Sequence, residues 1–140
     1  MKRNVFGALM TLIMAATIAV PVVDAQQTIM TCNVPFAFNI GDKQLPAGTY
    51  IVREMDRGTL IQSKDGENSV LGIYNYAGPS KADQNKLVFD KVGDHYFLAQ
   101  IWASARDEGL LVPESKQEKE LRASNSGLQS EVETVIVALR

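Results

Sequence analysis

One cysteine and one histidine are all that the 140-residue chain holds of the side chains most used in nucleophilic and metal chemistry. A lone cysteine closes no disulfide within the chain, so the fold rests on an apolar core without cross-links. A zinc site draws three or four ligands mainly from His and Cys, and one of each does not supply them. No metal and no cofactor is therefore expected. An excess of positive charge is missing too. The 14 Lys and Arg stand against 16 Asp and Glu, for a net charge of −2, and no basic stripe is present. This argues against nucleic acid and anionic membrane surfaces as partners. The chain also lacks an Asn-x-Ser/Thr acceptor, an internal repeat and any low-complexity tract.

The one long apolar run lies at the start. Lys2 and Arg3 precede a stretch from Val5 to Val23 that carries almost no charge, and Val23-Asp24-Ala25 places small residues where a signal peptidase reads them. A basic n-region, an apolar h-region and such an ending predict a signal peptide over residues 1–25. The run is just long enough for a retained transmembrane helix, which needs about 20 apolar residues. Pro21 favours an extended, cleavable end over further helix. Lipidation at Cys32 is not expected, because Ile29-Met30-Thr31 precede it and polar Gln26-Gln27-Thr28 separate it from the apolar run. The reading is an exported protein, periplasmic or extracellular, touching a membrane only through an uncut leader. Residues 26–140 then form a single domain. In it Cys32 is either buried as a small hydrophobe or free to pair with another chain.

Strand signals fill that domain. Val34, Phe36, Phe38 and Ile40 alternate with Pro35, Ala37 and Asn39, which predicts a strand with one apolar face. Pro35 cannot donate to a ladder, so the strand lies at an edge or is interrupted there. Gly41-Asp42 reads as a turn. In Leu45-Pro46-Ala47-Gly48-Thr49-Tyr50, Pro46 suits a turn corner and Gly48 permits a positive φ. Tyr50 to Val52 opens a strand closed by Asp56-Arg57-Gly58, and Thr59 to Lys64 returns beside it. Asp65-Gly66 has the form of a two-residue hairpin turn leading into a strand from Ser69 to Ala77. Gly78 to Asn85 reads as a loop. Leu87 to Phe89 and His95 to Ala103 are strands joined at Gly93-Asp94, the second apolar on both faces and so central. Ser115 and Glu118 have capping-box spacing for a short helix, supported by Lys116 with Glu120 and Glu118 with Arg122 at i,i+4. With Leu121 as its only large apolar residue, this helix reads as a solvated surface element. Ser124 to Ser130 links it to a last strand from Val132 to Leu139. The expectation is a mainly β domain of about seven strands, an antiparallel β-sandwich or small barrel with one helix near the C-terminal end.

Asn33-Val34-Pro35-Phe36, Leu45-Pro46-Ala47-Gly48-Thr49-Tyr50, Lys86-Leu87-Val88-Phe89, Gly93-Asp94-His95-Tyr96-Phe97-Leu98 and Glu118-Lys119-Glu120-Leu121 resemble, in that order, a family of short exported bacterial proteins of unknown function. The resemblance implies export and a β-rich fold, and it brings no activity with it.

Candidate chemistry is sparse. His95 would need a partner and an orienting group to act as a base, and adjacent Asp94 points to the other face of a strand. Ser63, Ser104 and Ser115 lie in no Gly-x-Ser-x-Gly elbow. Asp65, Glu67 and Asn68 crowd one turn and Asp90 and Asp94 flank another, without the spacing of a calcium loop. No catalytic residue is therefore assigned. Tyr74 and Tyr76 share a parity in their predicted strand with Gly72 beside them, and such rings stack sugars or protein partners. The expected function is non-catalytic: binding of a protein or glycan, or an envelope component. The alternatives are an oligomer in which the edge segment Thr28 to Ile40 pairs with a neighbouring chain, and an enzyme with a dispersed site near His95.

Overall fold

The computed structural model describes residues 29–55, 58–72, 74–79, 85–103, 108–125 and 132–140. The predicted leader over 1–25, the turn residues Asp56 and Arg57, Ser104, and most of the two predicted linkers lie outside the described residues. The described chain is a β-sandwich. Its strands are β1 (Ile29–Val34), β2 (Phe38–Ile40), β3 (Lys43–Leu45), β4 (Gly48–Met55), β5 (Gly58–Ser63), β6 (Ser69–Gly72), β7 (Asn75–Pro79), β8 (Lys86–Val92), β9 (His95–Trp102), β10 (Glu108–Leu111) and β11 (Glu133–Ala138), with α1 (Lys116–Asn125) between the last two. The first sheet has the order β1-β4-β5-β6, and the second runs β11-β8-β9-β10-β7 with β2 and β3 attached. All pairings are antiparallel except one parallel bridge, Asn39 to Phe97, between β2 and β9. The sheets are tied at one side, where Thr31 and Arg140 exchange both backbone hydrogen bonds at 2.8 and 2.9 Å. Among the described residues they do not close into a barrel.

Eleven strands among the described residues replace the expected seven: two predicted strands are each split where the chain changes sheets, and β3 and β10 form in segments not read as strand. The predicted strand through Val34 and Ile40 is two strands. Pro35, with no N–H to give, ends β1 in the first sheet, and Phe38 begins β2 in the second. The predicted strand from Ser69 to Ala77 is likewise split, with β6 in the first sheet and β7 in the second. The two-residue turn at Asp65-Gly66 is corrected as well. Five residues separate β5 from β6. The Ser63 hydroxyl donates to Asp65, the Glu67 N–H donates to the same carboxylate at 2.9 Å, and the Asn68 N–H donates to Ser63 Oγ at 3.0 Å. Short polar side chains that bond nearby backbone hold such a loop open. Gly41 (φ +57°) and Gly93 (φ +61°) do lead two-residue turns, each followed by an aspartate without positive φ, which is the type II′ geometry that suits hairpin twist.

Alternation fills the space between the sheets. Met30, Cys32 and Val34 of β1, Tyr50 and Val52 of β4, and Ile61 of β5 meet Phe38, Ile40, Leu45, Leu87, Phe89, Leu98, Ile101 and Leu139 from the second sheet. Rings bridge the layers: Tyr96 stacks on Phe36 with centroids 3.9 Å apart, and Phe36, Phe89, Phe38 and Tyr50 continue in edge contacts of 5.1–5.2 Å. The Tyr50 hydroxyl donates to the Pro46 carbonyl at 2.5 Å, the tyrosine-corner arrangement of β-sandwiches. This explains why Pro46 and Tyr50 belong together: the turn supplies the acceptor that the buried phenol requires. Gly48 opens β4 without a positive φ, contrary to the conformational reading of its sequence.

β9 is central, as its two apolar faces imply. It pairs with β8 on one side, and on the other it gives residues 100–102 to β10 and Phe97 to β2. An irregularity at Val88/Phe89 leaves Ala99 outside the ladder with β8, and its carbonyl accepts from the Val112 N–H at 2.9 Å.

The helix is the surface element expected, with Lys116, Gln117, Lys119, Glu120, Ala123 and Ser124 exposed, but one side of it is held against the sheet. Ser115 caps it through the Glu118 N–H at 3.1 Å, and both residues are buried. Glu118 is 4 % exposed and accepts from Arg122 at 2.7 and 3.2 Å. Arg122 also reaches Asp90 of β8 at 2.8 Å and Glu114 at 3.4 Å. One guanidinium thus ties three carboxylates and fastens α1 over the outer side of the second sheet. The more exposed Lys116–Glu120 pair spans 3.8 Å and adds little.

Candidate functional site

Tyr74 and Tyr76 are not neighbours on one strand. Tyr74 lies in the crossing between β6 and β7, and Tyr76 within β7 opposite Leu110. The Tyr74 ring is partly buried against the core and folds back over Gly72, where a β-carbon would stand 2.2 Å from its Cζ. Its hydroxyl is buried without a partner among the described residues, and burial pushes its pKa up. The Tyr76 side chain lies outside the described residues. A second ring covers a glycine in the same way: Trp102 lies over Gly109, its cross-strand partner, with its indole N–H on Gln100 at 2.9 Å.

His95 follows the Gly93-Asp94 turn, half-buried, with its ring 6.4 Å from that of Phe97. No hydrogen bond or ion pair joins it to a carboxylate or hydroxyl among the described residues. The acidic turns are committed elsewhere. Asp65 holds its own loop, and Asp90 holds Arg122. No three His, Cys, Asp or Glu side chains gather as a ligand set among the described residues. Cys32 is buried as a small hydrophobe, and burial raises its thiol to about 11, so it stays a neutral thiol near neutral pH.

Shallow recesses occur at two places among the described residues. One, of about 400 Å³, lies between the Pro46–Thr49 turn and the Ser63–Asn68 loop, where Tyr50, Ser63 and Asp65 are all occupied in holding their own turns. The other, of about 390 Å³, lies where β1 and β11 splay apart beside the Thr31–Arg140 tie. Ser63, Lys64 and Asp65 line the first, with Ser63 and Asp65 bonded to each other and to the loop backbone, and the second is lined by Thr31, Cys32, Asn33, Thr49, Val137, Ala138 and Arg140.

The outer face of the first sheet is different. Register aligns Ile29, Arg53, Leu60 and Leu71 in one row across β1, β4, β5 and β6, with Thr31, Ile51, Gln62 and Ser69 in the next row. Ile29 is 55 % exposed, Leu71 62 %, and Met55 at the far end of β4 is exposed as well. The row spans about 14 Å from β1 to β6 at ordinary strand spacing. Arg53 stands inside it. Its Nε is buried and has no hydrogen-bond partner among the described residues, while its neighbour Glu54 alternates to the opposite face. The other exposed large apolar residues, Leu111, Val132 and Ile136, lie on or beside the second sheet. There Ile136 and Leu111 are separated by Val88 and Gln100, so they form no continuous patch.

Sequence reading did not find this surface. Period two places Ile51, Arg53 and Met55 on one side of β4 and Leu60 on one side of β5. What unites them is register between strands, which local sequence does not state. No family model matches the chain, and neither a curated protein nor a solved structure matches it.

Proposed function

We propose that this is an exported, non-catalytic binding domain that contacts a protein partner through the outer face of its first sheet. The supporting observation is the continuous row Ile29–Arg53–Leu60–Leu71, with Ile51 and Met55 beside it. Contiguous exposed apolar surface rimmed by polar residues marks an interaction site far more often than scattered single residues do. A glycan is a poorer fit, because the row offers aliphatic side chains where sugar rings stack on aromatic ones. Strand exchange along Thr28 to Ile40 is also a poorer fit. β2 lies between β3 and β9, and Thr31 is bonded to Arg140 at the outer edge of β1.

A photoreactive residue placed at Leu71 tests the reading in the exported fraction of the producing cell, against one placed at Lys119 on the exposed side of α1. Leu71 is expected to give an adduct of one fixed mass that Ile29→Ser with Leu60→Ser removes, and Lys119 none. An absence of adduct, or the same products from both positions, would refute it.

A further inference from the structure

Resting on that reading, we infer that the partner brings a carboxylate to Arg53, presented between apolar side chains of a protein segment. Arg53 is the one cation in the apolar rows, and its Nε is buried without a hydrogen-bond partner among the described residues. A buried guanidinium nitrogen left unpaired costs free energy, and a planar carboxylate is the acceptor its fork geometry suits best. Ile29 and Leu60 flank it directly across the strands, Leu71 extends the row, and Gln62 and Thr31 begin the polar rim. The complementary surface is therefore apolar, with one acidic group at its centre.

A second copy of the chain fits less well. In a two-fold stack whose axis runs along this row the two Arg53 side chains would face each other and bury like charges, and with the axis across the row each would lie over Leu60 of the other copy, where no acceptor is supplied. Four strands of 6, 8, 6 and 4 residues cover about 400 Å² by ordinary strand dimensions, roughly half of what each partner contributes to a standard interface. Such an area suits a reversible contact with a short segment. An anionic membrane fits less well again, because Arg53, with Lys43 on the Ser69 carbonyl at the edge, makes no basic cluster among the described residues and gives little attraction to a charged surface.

The test uses two capped peptides, acetyl-Leu-Glu-Leu-amide and its Gln counterpart, titrated at millimolar concentration into the isotope-labelled protein. The Glu peptide is expected to shift backbone amides of β1, β4, β5 and β6, with the Gln peptide at least fivefold weaker. Arg53→Gln should erase that difference, and Arg53→Lys should keep part of it. Equal response to both peptides, or response to neither, would overturn the carboxylate assignment. In that case the adduct from Leu71 separates the two claims: if it persists, the face still binds, and if it is absent, both fail. Binding to phosphatidylglycerol vesicles without discrimination between the peptides would assign the face to a membrane and overturn the proposal. Concentration-dependent dimers strengthened by Arg53→Gln would assign it to a second copy and overturn the proposal equally.

Discussion

On the outer side of the second sheet, Arg122 of α1 reaches Asp90, and Val88, Val92 and Phe97 are buried outside the main core cluster. On the outer side of the first sheet, Ile29 and Leu71 stand more than half exposed, and the buried Nε of Arg53 has no hydrogen-bond partner among the described residues. The same strand grammar produces both surfaces. The difference is that a charged helix closes one of them, while no described element lies over the other. Apolar residues buried on the outer side of the second sheet stabilise the fold, whereas those on the first sheet are left available for contact. Exposure and an unpaired cation, more than hydrophobicity itself, distinguish a binding face from a core face.

Truncating the covered face should have the largest effect. Phe97 is 2 % exposed and pairs across from Asp90, so Phe97→Ala is expected to cost about 3–4 kcal/mol in urea unfolding. A loss below about 1 kcal/mol would mean that burial on this face contributes little to the fold. Next in size is the latch. Arg122→Ala leaves Glu118 buried without the cation that accounts for two of its hydrogen bonds, for an expected loss of about 2–3 kcal/mol. Adding Glu118→Gln to that variant should recover part of the loss, because a neutral amide is cheaper to bury than a lone carboxylate. The smallest effect belongs to the bare face. Ile29→Ser and Leu71→Ser should each change stability by no more than about 0.5 kcal/mol, while together they weaken partner contact. Equal losses on the two faces would erase the distinction drawn between them.

Local chemistry made much of this architecture readable. Gly41-Asp42 and Gly93-Asp94 mark their hairpins because glycine relieves the positive φ there, and Ser115 marks the start of the helix because its hydroxyl caps an amide three residues on. The layers were harder to read. Alternation runs unbroken from Val34 to Ile40 although the chain leaves one sheet for the other, and only Pro35 betrays the break. Tyr74 and Tyr76 have the same parity, yet a sheet crossing lies at the first of them and removes the common face that parity suggests. The burial of Glu118 was hidden because charge in a helix reads as solvation unless a partner is known, and Asp90 lies 32 residues away from Arg122. The apolar row depends in the same way on pairing between distant strands.

Between Ile29 and Pro79 the polypeptide passes from one sheet to the other three times, around Pro35-Phe36-Ala37, at Pro46-Ala47 and at Tyr74. Neither layer can peel away as a unit, because each crossing stitches it covalently to its neighbour. Melting should accordingly be a single concerted event. A load applied at Leu71 by a bound molecule would be carried by both layers at once, as tension in fabric is shared between two sewn plies.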